Sequence, residues 1–146
     1  MPKIVALDIG TKRIGVALSD DSGVLAFPHA VYERVAGRGE AAVIELVKSI
    51  KAEVLVAGLP LDEEGRRTRQ CEDVENFCRR LARRLPHVQL VFLDEFGSSL
   101  EAERRLRETG RSARDLAASK GVLDASAATI VLQSYLDLKR NPGIQG

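Results

Sequence analysis

The sequence predicts a single α/β domain built on a mixed five-stranded sheet. Short apolar runs separated by tight turns open the chain and are typical of an antiparallel meander. Two later runs are apolar throughout, as in strands buried on both faces of a sheet, and amphipathic segments between them provide helical crossovers. The chain has 146 residues and 45% hydrophobic content, the size of one domain with a substantial core.

Three strands are expected in the first 32 residues, where apolar β-rich runs alternate with turn sequences. The first two runs are separated by the short segment 10–12, and the third follows a turn sequence at 21–23. Runs so closely connected pair as an antiparallel meander. The expected strands are residues 3–9, 13–19 and 24–32.

Helices and strands alternate in the rest of the chain. Strands are predicted where the sequence is apolar without alternation, and helices where apolar residues recur at helical spacing. Ser98 and Glu101 have the spacing of an N-terminal capping box. The last helix is small and apolar almost all round, so it should be deeply packed. In order, we expect a helix at 39–50, a strand at 53–57, a helix at 68–85, a strand at 88–93, and helices at 98–109 and 121–138.

We expect residues 1–140 to form one domain and residues 141–146 to be a frayed tail. No stretch approaches the roughly 20 apolar residues of a membrane helix, and the N-terminal residues lack the pattern of a signal peptide. A cytoplasmic location without a membrane partner is therefore predicted. Cys71 and Cys78 lie seven residues apart on one predicted helix, too far for a disulfide, so both are expected in the core.

Arginine is concentrated between residues 66 and 114, although the net charge of the whole chain is only +1. Such a region could contact the phosphates of a nucleic acid. It could equally form ordinary solvated helix faces, with Glu or Asp one turn away. Charge alone leaves both interpretations open.

Three carboxylates occupy positions where an acid is costly without a partner such as a metal ion. Asp8 lies near the end of the first apolar run, Glu95 follows the fifth, and Asp124 lies at the start of the last helix. Each has a structural alternative: Asp8 as a turn former, Glu95 as the partner of an arginine, and Asp124 as a residue favoured by the helix dipole. Asp94 is expected on the opposite face of its strand from Glu95.

The predicted order of elements, β-β-β-α-β-α-β-α-α, is that of the ribonuclease H-like fold. A hairpin meander followed by strands reached through helical crossovers forms such a mixed sheet, with helices on its flanks. In this fold the first strand is central. Its acid can meet acids at the end of the strand after the second helix and on the last helix.

Four segments resemble the YqgF (RuvX-type) family of ribonuclease H-like nucleases. They are LDIGTKRIGVALSD at 7–20, Gly-Leu-Pro at 58–60 with its polar loop, Asp-Glu at 94–95 with a following pair of hydroxyls, and K-x-x-x-D-x-x-A-A at 120–128. The resemblance implies that Asp8, Glu95 and Asp124 are the catalytic acids. It also implies a role in 5′-end maturation of precursor 16S ribosomal RNA, with four-way DNA junction resolution as the alternative.

Phosphodiester hydrolysis is served by two Mg²⁺ or Mn²⁺ ions about 4 Å apart, and these hard ions prefer carboxylate oxygens. Asp8 is the candidate for bridging both ions, with Glu95 and Asp124 each holding one side. Cationic side chains nearby would bind the phosphates. The candidates for substrate binding are Lys12, Arg13, Ser98, Ser99 and Lys120.

The chain departs from the family after the fifth strand. Members commonly read D-E-R-x-T-T, whereas this sequence has Phe96 and Gly97 followed by two serines. No arginine therefore stands at position 96. Arg66 or Arg67, in the polar loop, is a candidate replacement.

Two other functional classes compete with a nuclease. Residues 8–11 also resemble the first phosphate motif of actin-like ATPases and sugar kinases, but those proteins enclose a nucleotide between two such domains. A catalytically silent module that binds nucleic acid or ribosomes is the second class. RNA is favoured over branched DNA as the partner, and ribosomal precursor particles are candidate partners. A homodimer is also considered, because a symmetric dimer would most easily cut both strands of a junction.

Overall fold

A computed structural model of the chain describes residues 3–61, 64–94 and 125–140. Five strands form one sheet: β1 (Ile4–Ile9), β2 (Arg13–Ser19), β3 (Ala26–Glu33), β4 (Val54–Leu59) and β5 (Gln89–Asp94). Their order across the sheet is β3-β2-β1-β4-β5. Strands β1, β2 and β3 pair antiparallel, whereas β4 is parallel to both β1 and β5. The predicted meander with two crossover strands is confirmed.

Within those ranges, the α-helices are α1 (Arg38–Ile50), α2 (Arg69–Arg84) and α3 (Ala125–Arg140). A 3₁₀ turn, Val35–Gly37, connects β3 to α1. The helix expected at 98–109, the first residues of the one expected at 121–138, and the tail 141–146 lie outside the described residues. Among the described helices, none is long and apolar enough to cross a membrane.

The two faces of the sheet have separate apolar cores. Along β1, Val5 and Leu7 belong to the core beneath α1 and α2, whereas Ile4 and Ala6 belong to the core beneath α3. Successive side chains of a strand point to opposite faces. Asp8 therefore lies on the face that α3 covers.

Helix α3 is buried as its composition predicts, with Ala128 and Leu132 inaccessible to solvent. Gln133 is also fully buried. Its Oε1 accepts a hydrogen bond from the backbone N–H of Ala26 at 3.0 Å, and its Nε2 donates to the carbonyl oxygen of Val24 at 2.9 Å. A buried amide needs such partners, and here they attach α3 to the start of β3.

Strand β3 begins at Ala26, two residues later than predicted. The cause is Asp20, whose carboxylate accepts hydrogen bonds from the backbone N–H groups of Val24 at 2.8 Å and of Leu25 at 3.2 Å. Both N–H groups thus form hydrogen bonds within the turn that precedes β3. The turn is therefore longer than its Gly-containing sequence indicated.

The two cysteines are buried, free thiols on α2. The pKa of Cys78 is raised to about 12 because burial penalises the thiolate. A thiol with such a pKa stays protonated and unreactive at neutral pH. The prediction that both cysteines belong to the core is confirmed.

Candidate active site

The candidate site lies at one edge of the sheet, where β1, β4 and β5 end. These strands are parallel, so their carboxyl ends meet at that edge, which we call the carboxyl edge. The register pairs Leu7 with Ala57 and Leu59 with Asp94. Asp8 is the next residue after Leu7 and is partly buried. The acid predicted for the first strand therefore stands at the end of a central strand, as expected.

Asp8 has glycine neighbours in the sheet. Gly15 of β2 lies directly opposite Asp8, and Gly58 follows Ala57 on β4. Paired residues place their side chains on the same face. The residue directly across from Asp8 on β2 therefore has no side chain, and Arg13, two residues before it, lies on the same face as Asp8. Small residues beside Asp8 leave room for a metal ion to approach its carboxylate from the α3 face.

The turn between β1 and β2 forms part of the same edge. The backbone N–H of Gly10 donates to the carbonyl oxygen of Arg13 at 2.8 Å. A Cβ atom at Gly10 would lie 3.0 Å from that oxygen, so the turn has no room for a larger residue without a shift. Thr11, Lys12 and Arg13 are exposed. Two of the predicted phosphate contacts, Lys12 and Arg13, thus lie close in sequence and space to Asp8.

The other predicted site residues lie outside the described residues. Glu95 follows the last residue of β5 in the sequence, and Asp124 precedes the first residue of α3. The described part of the chain thus tests the position of Asp8 but not that of the other two acids. The remaining predicted residues outside it are Ser98, Ser99 and Lys120.

Arg34, which the sequence reasoning missed, joins the β1–β2 turn to α2. Its Nη1 donates to the carbonyl oxygen of Gly10 at 2.7 Å and to Oδ2 of Asp73 at 2.7 Å, and its Nη2 donates to Oδ1 of Asp73 at 3.1 Å. These bonds to Arg34 hold the pKa of Asp73 below its ordinary value of 3.8. The sequence offers one signal for it, an arginine directly after the third strand.

The loop between β4 and α2, residues 60–68, starts from the same edge. Its ends are joined by a 2.8 Å hydrogen bond from Oγ1 of Thr68 to the carbonyl oxygen of Pro60. Arg66 pairs with Glu64 at 2.7 Å, and Arg67 pairs with Glu75 on α2. Arg66 and Arg67, the candidates to replace the arginine absent from position 96, are therefore near the edge, but each already has an acidic partner. Their role toward a substrate stays a prediction.

The donor chemistry at the edge fits a hard divalent ion. Within residues 3–61, 64–94 and 125–140, no three His, Cys, Asp or Glu side chains are grouped to hold a metal, and two of the three predicted ligands lie outside these ranges. Asp8, the one predicted ligand among the described residues, offers carboxylate oxygens. Cys71 and Cys78 are buried in the core on α2, and His87 lines a cavity at the opposite edge. Oxygen donors suit Mg²⁺ or Mn²⁺ better than zinc.

That cavity, of about 890 Å³, is separate from the candidate site. Ile4, which lines it, begins β1, and four residues of strand span about 13 Å to Asp8. Its cationic residues lie at the C-terminal ends of helices, where they offset the helix dipole. They are Lys48, Lys51, Arg84 and Lys139.

Comparison with known proteins gives a family and a fold. A family model described as "RuvX: Holliday junction resolvase" matches residues 2–138. A protein of Nitratidesulfovibrio vulgaris is 41% identical over 137 residues, which are 93% of this chain and 94% of that protein. One of Synechocystis is 40% identical over 139 residues, covering 94% and 88%. Both carry the name "Putative pre-16S rRNA nuclease".

Two solved structures share the architecture. RuvC of T. thermophilus, in complex with a Holliday junction substrate, superposes with a TM-score of 0.62 at 13% identity, covering 96% of each chain. The fowlpox virus Holliday junction resolvase superposes with a TM-score of 0.58 at 14% identity, covering 92% of this chain and 98% of that one. At such low identity the likeness establishes the fold alone. The predicted ribonuclease H-like fold is confirmed.

Proposed function

Because the chain belongs to the RuvX family, whose model is described as Holliday junction resolvase, we propose that it is a metal-dependent nuclease that hydrolyses phosphodiester bonds. The observation that carries the proposal is the place of Asp8. It is a partly buried carboxylate at the carboxyl edge, flanked by glycines and next to the exposed Lys12 and Arg13. A phosphate can be bound by the cations while its phosphorus lies near the acid.

Asp8, Glu95 and Asp124 are the proposed ligands of two Mg²⁺ or Mn²⁺ ions. When bound, such ions neutralise the charge that develops on the phosphate and favour deprotonation of the attacking water. The role of Asp8 is to hold its carboxylate oxygens in a fixed position at the end of β1. Lys12 and Arg13, with Ser98, Ser99 and Lys120, are proposed to bind the phosphates on either side of the scissile bond.

The proposed substrate is precursor 16S ribosomal RNA, cut during 5′-end processing, in the cytoplasm and within ribosomal precursor particles. The names of the curated relatives support this choice. Cleavage of four-way DNA junctions by a homodimer is the second candidate. It is favoured by the description of the family model. Fold does not discriminate between these substrates.

A cleavage assay in Mg²⁺ and Mn²⁺ tests the proposal. It offers end-labelled structured RNA with a single-stranded 5′ extension beside a four-way DNA junction, with wild type, Asp8→Asn and Asp21→Asn. The last is a matched control, because Asp21 is an exposed aspartate that pairs with Lys3 near the start of β1. We expect RNA cleavage by wild type and Asp21→Asn. For Asp8→Asn we expect a loss of about 10³-fold or more.

The alternatives give different results. Symmetric incision of the junction, with no RNA cleavage, would make the protein a resolvase. Binding of either nucleic acid without cutting would indicate a silent module. Cleavage by Asp8→Asn at the wild-type rate would remove Asp8 from the mechanism.

A further inference from the structure

Arg34 holds the β1–β2 turn at two points. Its side-chain Nη1 lies 2.7 Å from the carbonyl oxygen of Gly10, and its backbone N–H donates to the carbonyl oxygen of Lys12 at 2.9 Å. Gly10 is two residues beyond Asp8 in the sequence. A shift of this turn therefore moves the end of β1 and the cations together.

The guanidinium of Arg34 is itself held in place. Asp73 on α2 binds both of its terminal nitrogens, and its carbon lies 5.0 Å from the centre of the Phe77 ring. Only 16% of the Arg34 side chain is exposed. A two-point ion pair in a partly buried position has well-defined geometry. Asp73 of α2 therefore orients the guanidinium of Arg34, and the guanidinium in turn binds the β1–β2 turn.

If Arg34 served only to connect the end of β3 to α2, its ion pair with Asp73 would be enough. The additional hydrogen bond to Gly10 brings a third element, the turn next to Asp8, into the same contact. A lysine could not bind Asp73 at two points and also reach the carbonyl, because its ammonium is a single point charge. The geometry therefore uses what is particular to arginine.

We propose that Arg34, oriented by Asp73, is a positioning residue for cleavage. It fixes the β1–β2 turn and thereby the positions of Asp8, Lys12 and Arg13. This inference rests on the proposed nuclease function. Arg34 acts through the turn and does not touch the scissile phosphate. Misplacement of reacting groups by about 1 Å can lower a rate by about 10²-fold.

Hydrogen exchange tests the positioning without metal or substrate. The reporter is the Gly10 amide, which donates to Arg13 in the turn. In Arg34→Met the turn loses the hydrogen bond from Arg34 to the carbonyl oxygen of Gly10. The loss of one hydrogen bond corresponds to exchange of the Gly10 amide about tenfold faster. We expect core amides of β1 and β4 to stay as protected as in wild type. Arg80→Met is the matched control, because Arg80 also pairs with an acid, Glu40, and lies over Phe77, at 5.6 Å. We expect the Gly10 amide to be unaffected in this control.

Cleavage assays complete the test. In Arg34→Met we expect kcat to fall by about 10- to 100-fold and the half-saturating Mn²⁺ concentration to rise. Arg34→Lys should recover only part of the rate, and Arg80→Met should behave as wild type. A residue that only stabilised the fold would not change the metal requirement well below the unfolding temperature. Should Arg34→Met fail to fold, Asp73→Asn, which leaves Arg34 present but less firmly oriented, should show smaller changes in the same direction.

Each outcome decides the inference. Unchanged Gly10 exchange in Arg34→Met, or in Asp73→Asn if that variant replaces it, would overturn it. Faster exchange with wild-type kcat and Mn²⁺ requirement would show that the turn does not position the reaction. If wild type cuts neither substrate, the proposed function fails on its own, and the exchange of Gly10 still decides whether Arg34 fixes the turn.

Discussion

Gln133 and Ala26 are joined by a buried hydrogen bond of 3.0 Å that connects α3 to the first residue of β3 across 107 positions of sequence. The same side chain donates to Val24. Helix α3 is therefore attached to the sheet by hydrogen bonds as well as by apolar packing. It is the helix on the Asp8 face, so its attachment bears on the candidate site.

We expect Gln133→Met to lower the free energy of unfolding by about 2 to 3 kcal/mol, because it leaves the N–H of Ala26 and the carbonyl of Val24 without this partner. Urea denaturation measures the change. Ser49→Ala is the control, since Ser49 is exposed and bonds to Leu46 within α1, and we expect a change below about 0.5 kcal/mol. Equal stability of Gln133→Met and wild type would show that this contact contributes little.

Gly10→Ala should reduce cleavage more than it reduces stability. The new Cβ would lie 3.0 Å from the carbonyl oxygen of Arg13, so the turn must move by a few tenths of an ångström. We expect kcat to fall by about tenfold or more and the free energy of unfolding to change by about 1 kcal/mol. Steady-state cleavage and urea denaturation measure the two effects.

Gly23→Ala is the matched control for that substitution. Gly23 has a φ of 73° in the turn between β2 and β3, away from the carboxyl edge, so alanine there costs about 1 to 2 kcal/mol of backbone strain. We expect this variant to be less stable and still to cleave at the wild-type rate. An equal loss of kcat in both variants would mean that lower stability, and not the turn, explains the effect.

The ion pair between Arg34 and Asp73 predicts a dependence of stability on pH. Hydrogen bonds from Arg34 hold the pKa of Asp73 below 3.8, so the folded state favours the carboxylate. The contribution is fully present above about pH 4, the ordinary range of an Asp, and is lost as the pH falls through the lowered pKa. It should be modest, because the side chain of Asp73 is 40% exposed.

Urea denaturation of wild type and Asp73→Asn between about pH 2 and pH 7 measures this contribution. The difference in the free energy of unfolding between the two proteins should be constant near neutral pH and should shrink below about pH 4. A difference that does not change with pH would show that Asp73 has the same pKa in the folded and unfolded states.

Removing the two cations of the β1–β2 turn should weaken RNA binding. For the double variant Lys12→Gln/Arg13→Gln we expect lower affinity for all RNA sequences and a salt dependence reduced by about one to two phosphate contacts. Binding titrations at several salt concentrations measure both. Lys48→Gln/Arg84→Gln removes two cations beside the cavity at the opposite edge and should bind as wild type. A larger effect in that variant would place the RNA at the opposite edge.

Local patterns in the sequence determined the order of elements and the place of Asp8. Strand β2 spans the predicted residues 13–19, and α1 and α2 differ from their predicted ranges by one residue at some ends. Such accuracy follows because hydrophobic periodicity and turn residues act over a few positions. The position of Asp8 near the end of the first apolar run also indicated that an acid would stand close to a strand end.

The tertiary structure decided which distant residues meet. Arg34 reaches Gly10 across 24 positions and Asp73 across 39, and Gln133 reaches Ala26 across 107. No local pattern marks these pairs, because an arginine or a glutamine looks the same in sequence whether it is solvated or buried. Arg34 meets its partners because β3 ends beside the β1–β2 turn and near α2. Gln133 meets its partners because α3 packs on the sheet. The sequence thus predicted the acid at the candidate site, and the folded chain decided which distant residues contact the turn next to it.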